Sequence, residues 1–76
     1  MTAQEIVGRN IRKYREKKKL SQEALADLAK IHRTYILQVE QGKRNVGIVN
    51  IFKIAEALEI DPSILLLQEA GKKKSG

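Results

Sequence analysis

The side chains with the most chemical content lie between residues 20 and 42, in the stretch LSQEALADLAKIHRTYILQVEQG. On a helix advancing about 100° per residue, Ile36 and Val39 fall on one side. Thr34, Leu37, Gln38 and Gln41 fall on the other, with Arg33 between the faces at the N-terminal end. Arg33 can donate two hydrogen bonds to guanine O6 and N7, and Gln38 can pair with adenine N6 and N7. The Thr34 methyl group and Leu37 suit a thymine methyl. This is recognition chemistry, in which no covalent bond changes. A solvated helix face has the same composition when it stands alone. What weighs against that plainer reading is the helix and tight break ahead of it, the arrangement in which one helix braces and the next enters the major groove.

The remaining inventory leaves little for other chemistry. One His, no Cys and no clustered carboxylates give almost nothing from which to build a catalytic centre or a zinc site. No metal and no cofactor are expected, and His32 reads as a turn or cap residue. Tyr35 flanks the polar strip, where its hydroxyl could reach a phosphate or its ring could pack the rim. Glu40 falls about 40° from Ile36, toward the core. A carboxylate there needs a partner, and Arg15, in the last turns of the preceding helix, is the candidate. A partly exposed Glu40 with no special partner is the alternative.

Five helices and no strand are expected to position these groups. The first covers 3–18, with Val7, Ile11 and Tyr14 on one face, Gly8 as a weak point, and Lys17, Lys18 and Lys19 at its C-terminal end. Ser21 caps the second, with Glu23 in its first turn and Leu25, Ala26 and Ala29 as a small apolar face. Residues 30–32 are a tight turn with Ile31 plugging the core beneath it. The third helix runs 33–41, and Gly42 ends it in a positive-φ position. A polar loop, 43–47, leads to the fourth helix, 48–58. There Ile48, Ile51, Ala55 and Leu58 form one stripe, while Val49, Phe52 and Ile54 widen it beyond a single partner. Asp61 and Pro62 start a fifth helix that carries the apolar run 64–67.

The chain has 76 residues, a net charge of +6 and a pI near 9.8. This is one small domain with a thin core, for which oligomerisation is a usual remedy. The domain is expected over 1–70, with a disordered basic tail at 71–76. Basic charge invites a nucleic-acid reading, yet it is unevenly placed. Residues 1–19 hold seven basic and two acidic side chains, and residues 20–71 hold five basic against seven acidic. The reading strip is therefore not a basic block, and pattern carries more weight than charge. No stretch approaches a membrane span and none resembles a signal peptide, so a cytoplasmic protein without membrane partners is expected.

Taken together, Leu20-Ser21-Gln22, Leu25-Ala26, Arg33-Thr34-Tyr35-Ile36, Val39-Glu40, Gly42-Lys43-Arg44-Asn45 and Ile54-Ala55-x-x-Leu58 resemble the lambda-repressor-like, XRE-type helix-turn-helix regulators. Among these, the compact chain, the residues 32–36 and the Arg44-Asn45 loop are similar to controller proteins of restriction–modification systems. The resemblance spans about 7–66. It implies an all-α, five-helix lambda-repressor-like domain that binds double-stranded DNA as a homodimer on a pseudo-palindromic operator and regulates its own and neighbouring genes. RNA polymerase is a further candidate partner.

By matching position, the resemblance implies base contacts from Arg33, Thr34, Leu37 and Gln38. It implies backbone contacts from Gln22, Lys43, Arg44 and Asn45, to which the position of Tyr35 beside the polar strip adds a further candidate, and an internal ion pair of Arg15 with Glu40. Lys19 and Lys30 stand where many members of that family have Gly, which puts the local turns in question but not the fold. Gly47 replaces a capping residue. The run 64–67 spans about 300° of helical arc, so part of it must face water or a partner. Phe52, Ile60, Ile64, Leu65 and Leu67 are the expected dimer surface. Competing readings are an antitoxin or protein-interaction adaptor on the same fold, a phage-type repressor, and, remotely, a small enzyme.

Overall fold

A computed structural model describes residues 1–68. The proposed tail at 71–76, and the last two residues of the proposed domain, lie outside the described residues. Four α-helices follow in order, α1 (Ala3–Lys17), α2 (Gln22–Ala29), α3 (Arg33–Glu40) and α4 (Ile48–Leu58), and then a 3-10 turn, Pro62–Leu66. No strand occurs among the described residues.

Local signals fix the helix starts. Thr2 and Glu5 form a reciprocal capping box at α1, with the Thr2 hydroxyl accepting from the Glu5 N–H at 3.1 Å and the Glu5 carboxylate from the Thr2 N–H at 2.9 Å. Ser21 caps α2 by accepting from the Ala24 N–H at 3.0 Å. His32 and Gly47 precede α3 and α4 without a side-chain cap. Lys19 and Lys30 hold the positive φ that the turns demand, 56° and 59°, so the turn geometry survives without glycine at either place. Glu59 does the same after α4, with φ 60°.

The core lies where α1, α3 and the 3-10 turn close over the α2–α4 pair. Ile11, Leu25, Ile36, Ile54, Ala55 and Leu65 are wholly buried at its centre. Ile48 departs from the expected stripe. As the first residue of α4 it stands beyond its packed neighbours and is 64% exposed, while Ile54 takes the central place at 0%.

The fifth element is the second departure. Asp61 accepts from the Ser63 N–H at 2.9 Å and Pro62 follows it, but the bonds that form are i to i+3, from Ile64 N–H to Asp61 O and from Leu67 N–H to Ile64 O. The two bonds from Ser63, backbone first and hydroxyl second, hold the Asp61 carboxyl below its usual range. Within the turn consecutive leucines point in different directions, about 120° apart, and Leu67 follows it in extended backbone. Leu65 turns inward at 0% exposure, while Leu66 and Leu67 turn outward at 53% and 59%. Leu65 is therefore corrected from dimer surface to subunit core. Leu66, which the expected surface left out, stands exposed beside Leu67.

Asn10 holds this segment in place. Its buried side-chain N–H2 donates to the carbonyls of Leu65 at 2.9 Å and Leu67 at 2.7 Å. Those carbonyls end a short helix and would otherwise lack partners. A polar residue three positions after Val7 and four before Tyr14, on the apolar face of α1, was the available signal.

Candidate nucleic-acid interface

α3 is built as a two-sided element. Ile36 and Val39 are buried to 0% and 1% exposure on its inner side. Arg33, Thr34 and Leu37 are exposed on the outer side, and Gln38 is half-buried between them. Two contacts fix the angle at which this outer strip is presented. One is the turn from α2, closed by the Ile31 N–H donating to Ala26 O at 2.9 Å around Lys30. The other is the crossing of α1 at Gly8. A Cβ at Gly8 would overlap the carbonyl oxygen of Val39 and stand 3.1 Å from that of Glu40. The residue that looked like a weak point in α1 is what permits the close crossing.

That crossing brings Arg15 onto Glu40. The guanidinium donates from Nε to Oε2 at 2.7 Å and from Nη2 to Oε1 at 2.9 Å, a bidentate pair. Its Nη1 donates to Leu20 O at 2.9 Å. The two side chains are 11% and 4% exposed. The hydrogen bond to Glu40 is the main cause of a raised Arg15 pKa, against the opposing effect of desolvation. No buried side-chain N or O lacks a partner among the described residues.

Gln22 also belongs to this network, because its Nε2 donates to Glu40 Oε1 at 3.0 Å. One of its amide hydrogens is thus spent inward, which fixes the side chain and leaves the other half of the amide at the start of α2. Residue matching alone did not reveal that link. It depends on the packing of α2 against α3, which places the start of α2 beside Glu40.

A second cluster lies on the outer side. Arg44 Nη1 donates to Gln38 Oε1 at 2.8 Å, and the same guanidinium sits 4.6 Å from the centre of the Tyr35 ring. The Tyr35 hydroxyl accepts from the Gly47 N–H at 3.3 Å, which gives the uncapped start of α4 one partner. Tyr35 keeps its own hydroxyl hydrogen to donate elsewhere. Arg44, Gln38 and Tyr35 therefore form one unit, whereas Lys43 and Asn45 stand exposed in the loop. Gly42, at φ 73°, makes that loop possible, and a Cβ there would stand 2.9 Å from Glu5 Cγ.

Residues 11–65 match the family described as Helix-turn-helix. The chain belongs to this XRE-type helix-turn-helix family. It is 40% identical over its whole length to the control protein C.SmaI of Serratia marcescens, 90% of which the match covers. It is 45% identical over 62 residues to the control protein C.BamHI of Bacillus amyloliquefaciens, a match covering 80% of this chain and 76% of that one. Among solved structures it resembles the restriction–modification controller protein C.AhdI of Aeromonas hydrophila, with a TM-score of 0.80 and 47% identity over 82% of this chain and 94% of that one. The Neisseria hypothetical transcription factor NHTF superposes with a TM-score of 0.89 at 33% identity, over 99% and 86% of the two chains.

Within this helix-turn-helix family the chain keeps its helical bracing and its outward strip, with four α-helices and a 3-10 turn where five helices were expected. No helix among the described residues is long and apolar enough to cross a membrane.

Proposed function

We propose that this helix-turn-helix protein is a homodimeric, sequence-specific transcriptional regulator of the restriction–modification controller kind, acting on a pseudo-palindromic operator that governs its own and neighbouring genes. The observation that carries the proposal is the outward strip of α3, led by Arg33 and Thr34 and rigidly backed by the Arg15–Glu40 pair. Its likeness to a named control protein over the full chain, and to others over most of it, supports the same reading. Arg33, Thr34, Leu37 and Gln38 would meet base edges. Gln22, Tyr35, Lys43, Arg44 and Asn45 would meet the sugar–phosphate backbone, fixing register without reading sequence. RNA polymerase is the partner through which such a regulator would act on transcription.

The dimer surface centres on Phe52 and Leu67, 57% and 59% exposed, with Ile60 and Ile64 at its half-buried margin. Ile48, Val49 and Leu66 add exposed apolar area that a lone subunit would leave wet. Two-fold pairing matches a two-fold site, with half-site centres about 34 Å apart or a multiple of that.

Selection of bound duplexes from a random pool tests this directly, with sedimentation run in parallel. A symmetric enriched site and a dimer at micromolar concentration are expected. Phe52→Asp and Leu67→Asp are expected to yield folded monomers without tight binding. A monomer bound tightly to one half-site would reject the dimer, and no enrichment would reject the function. Arg33→Ala is expected to cost about 1–3 kcal/mol at the selected site and to relax one base position. Equal loss on every sequence would move Arg33 to the phosphates.

A further inference from the structure

The outward cluster carries more than a list of contacts. Gln38 alone could pair with adenine, because a free amide offers an acceptor to N6 and a donor to N7. In the folded protein its oxygen is already engaged by Arg44 Nη1 at 2.8 Å. An arginine has donors and no acceptor, so only the oxygen of the amide can face it, whichever way the amide is turned.

Arg44 is itself held at the Tyr35 ring, 4.6 Å from its centre, and Tyr35 is tied to the loop through the Gly47 N–H at 3.3 Å. The chain of contacts thus runs from the start of α4 to the middle of the reading strip. It leaves the N–H2 half of Gln38 pointing away from the guanidinium. Guanine presents two acceptors in the major groove and thymine presents one, and neither needs the engaged oxygen. Adenine would have to share that oxygen with a cation or displace it. The nearby positive charge also favours an acceptor edge over the amino groups of adenine and cytosine.

We propose that Arg44 sets the base preference of Gln38, presenting its amide as a donor so that each half-site carries guanine or thymine, rather than adenine, at the base Gln38 reads. This rests on the reading of α3 as the base-contacting helix. Arg44 acts here as a positioning residue, through Gln38, in addition to any contact with phosphate.

The test is selection from a random duplex pool with the full chain and its variants, read as base frequencies at each position. Gln38→Ala identifies the base concerned by flattening its preference. At that position the unmodified protein is expected to favour guanine or thymine over adenine by at least about tenfold. Arg44→Ala is expected to weaken binding to all sites and, at that one position, to bring adenine up to within about threefold of the favoured base.

Tyr35→Leu removes the ring against Arg44 while leaving its charge, and is expected to shift the same ratio in the same direction, which keeps the test open if Arg44→Ala binds too weakly to select. Gln38→Glu replaces the outward donors with an acceptor and is expected to turn the preference toward cytosine. Adenine favoured by the unmodified protein overturns the proposal, as does an unchanged ratio in both Arg44→Ala and Tyr35→Leu. If Gln38→Ala alters no position, the assignment of Gln38 to base reading falls, and the proposal falls with it. If nothing is enriched by any version, the failure belongs to the DNA-reading function itself.

Discussion

Arg15 and Arg44 each place a guanidinium on a side chain of α3, at 2.7 and 2.8 Å, but only one of these contacts is closed to water. Arg15 reaches the inner side, where Glu40 is 4% exposed and accepts three hydrogen bonds. Arg44 reaches the outer side, where it is exposed and Gln38 is half-buried. A buried charge pair cannot be opened without stranding an ion in a medium that solvates it poorly, so it holds one geometry. An exposed contact exchanges with water at little cost, so it can bias a side chain and still yield to a ligand. One helix thus carries a rigid reference on its inner side and an adjustable reader on its outer side.

The comparison breaks most readily at Glu40. Glu40→Ala leaves the Arg15 guanidinium largely buried without its carboxylate and also removes the partner of Gln22. A loss of about 3–5 kcal/mol is expected, seen as a lower urea midpoint. An unchanged midpoint would mean that the pair is no more structural than the outer one.

Gly8→Ala is the next largest. The new methyl group would meet backbone carbonyls of Val39 and Glu40, which cannot rotate away as a side chain can. A loss of about 1–3 kcal/mol is expected from the displaced α1–α3 crossing. Because Arg15 and Glu40 sit on the two helices that cross there, this substitution strains the pair through the backbone while leaving both of its side chains intact. An amide chemical-shift map with changes confined to residue 8 would show that the crossing tolerates a methyl, and that Gly8 sets nothing.

Asn10→Ala should cost about 1–3 kcal/mol, through the buried Leu65 carbonyl it leaves unpaired. It also loosens Leu66 and Leu67, so the dimer dissociation constant is expected to rise along with the loss of fold stability. Unaltered dimerisation in a destabilised variant would remove the link between Asn10 and the C-terminal leucines.

How much of this was legible in the sequence depended on the distance over which each signal acts. Ser21, Gly42 and Asp61-Pro62 are local signals, and the elements they bound begin or end where those residues stand. The placement of Glu40 toward Arg15 follows from helical angle, because α1 and α3 each present one apolar face. The partners of Gly8 and Asn10 were opaque for a shared reason, since each residue answers to a backbone group far along the chain, even though a polar residue on the apolar face of α1 marks Asn10 itself. For Asn10 the partner carbonyl is 55 residues away. The pitch of the last element was opaque too, because Asp61 and Pro62 start an α-helix and a 3-10 turn equally well. Neither pitch says which face of so short an element turns inward, and Leu65, not Leu66, is the one that does. The Arg44–Gln38 contact crosses a loop, where periodicity has nothing to say, although the type and position of each residue mark it for DNA contact.

The smallest expected effect tests the outer side of the comparison. If the Arg44–Gln38 contact is an adjustable reader, it should contribute little to folding. Arg44→Ala and Gln38→Ala should each leave the urea midpoint within about 0.5 kcal/mol of the unmodified protein, as is usual for surface positions. The double variant should fall close to the sum of the two, since an exposed pair couples by about 0.2–1 kcal/mol at most. Arg44 also lies against Tyr35, so any excess loss in Arg44→Ala over Gln38→Ala reports that ring contact and not the amide. A coupling above about 2 kcal/mol would put the outer contact in the same class as the buried pair. Gln38 would then be locked in place rather than biased, and the difference between the two sides of α3 would be one of position alone.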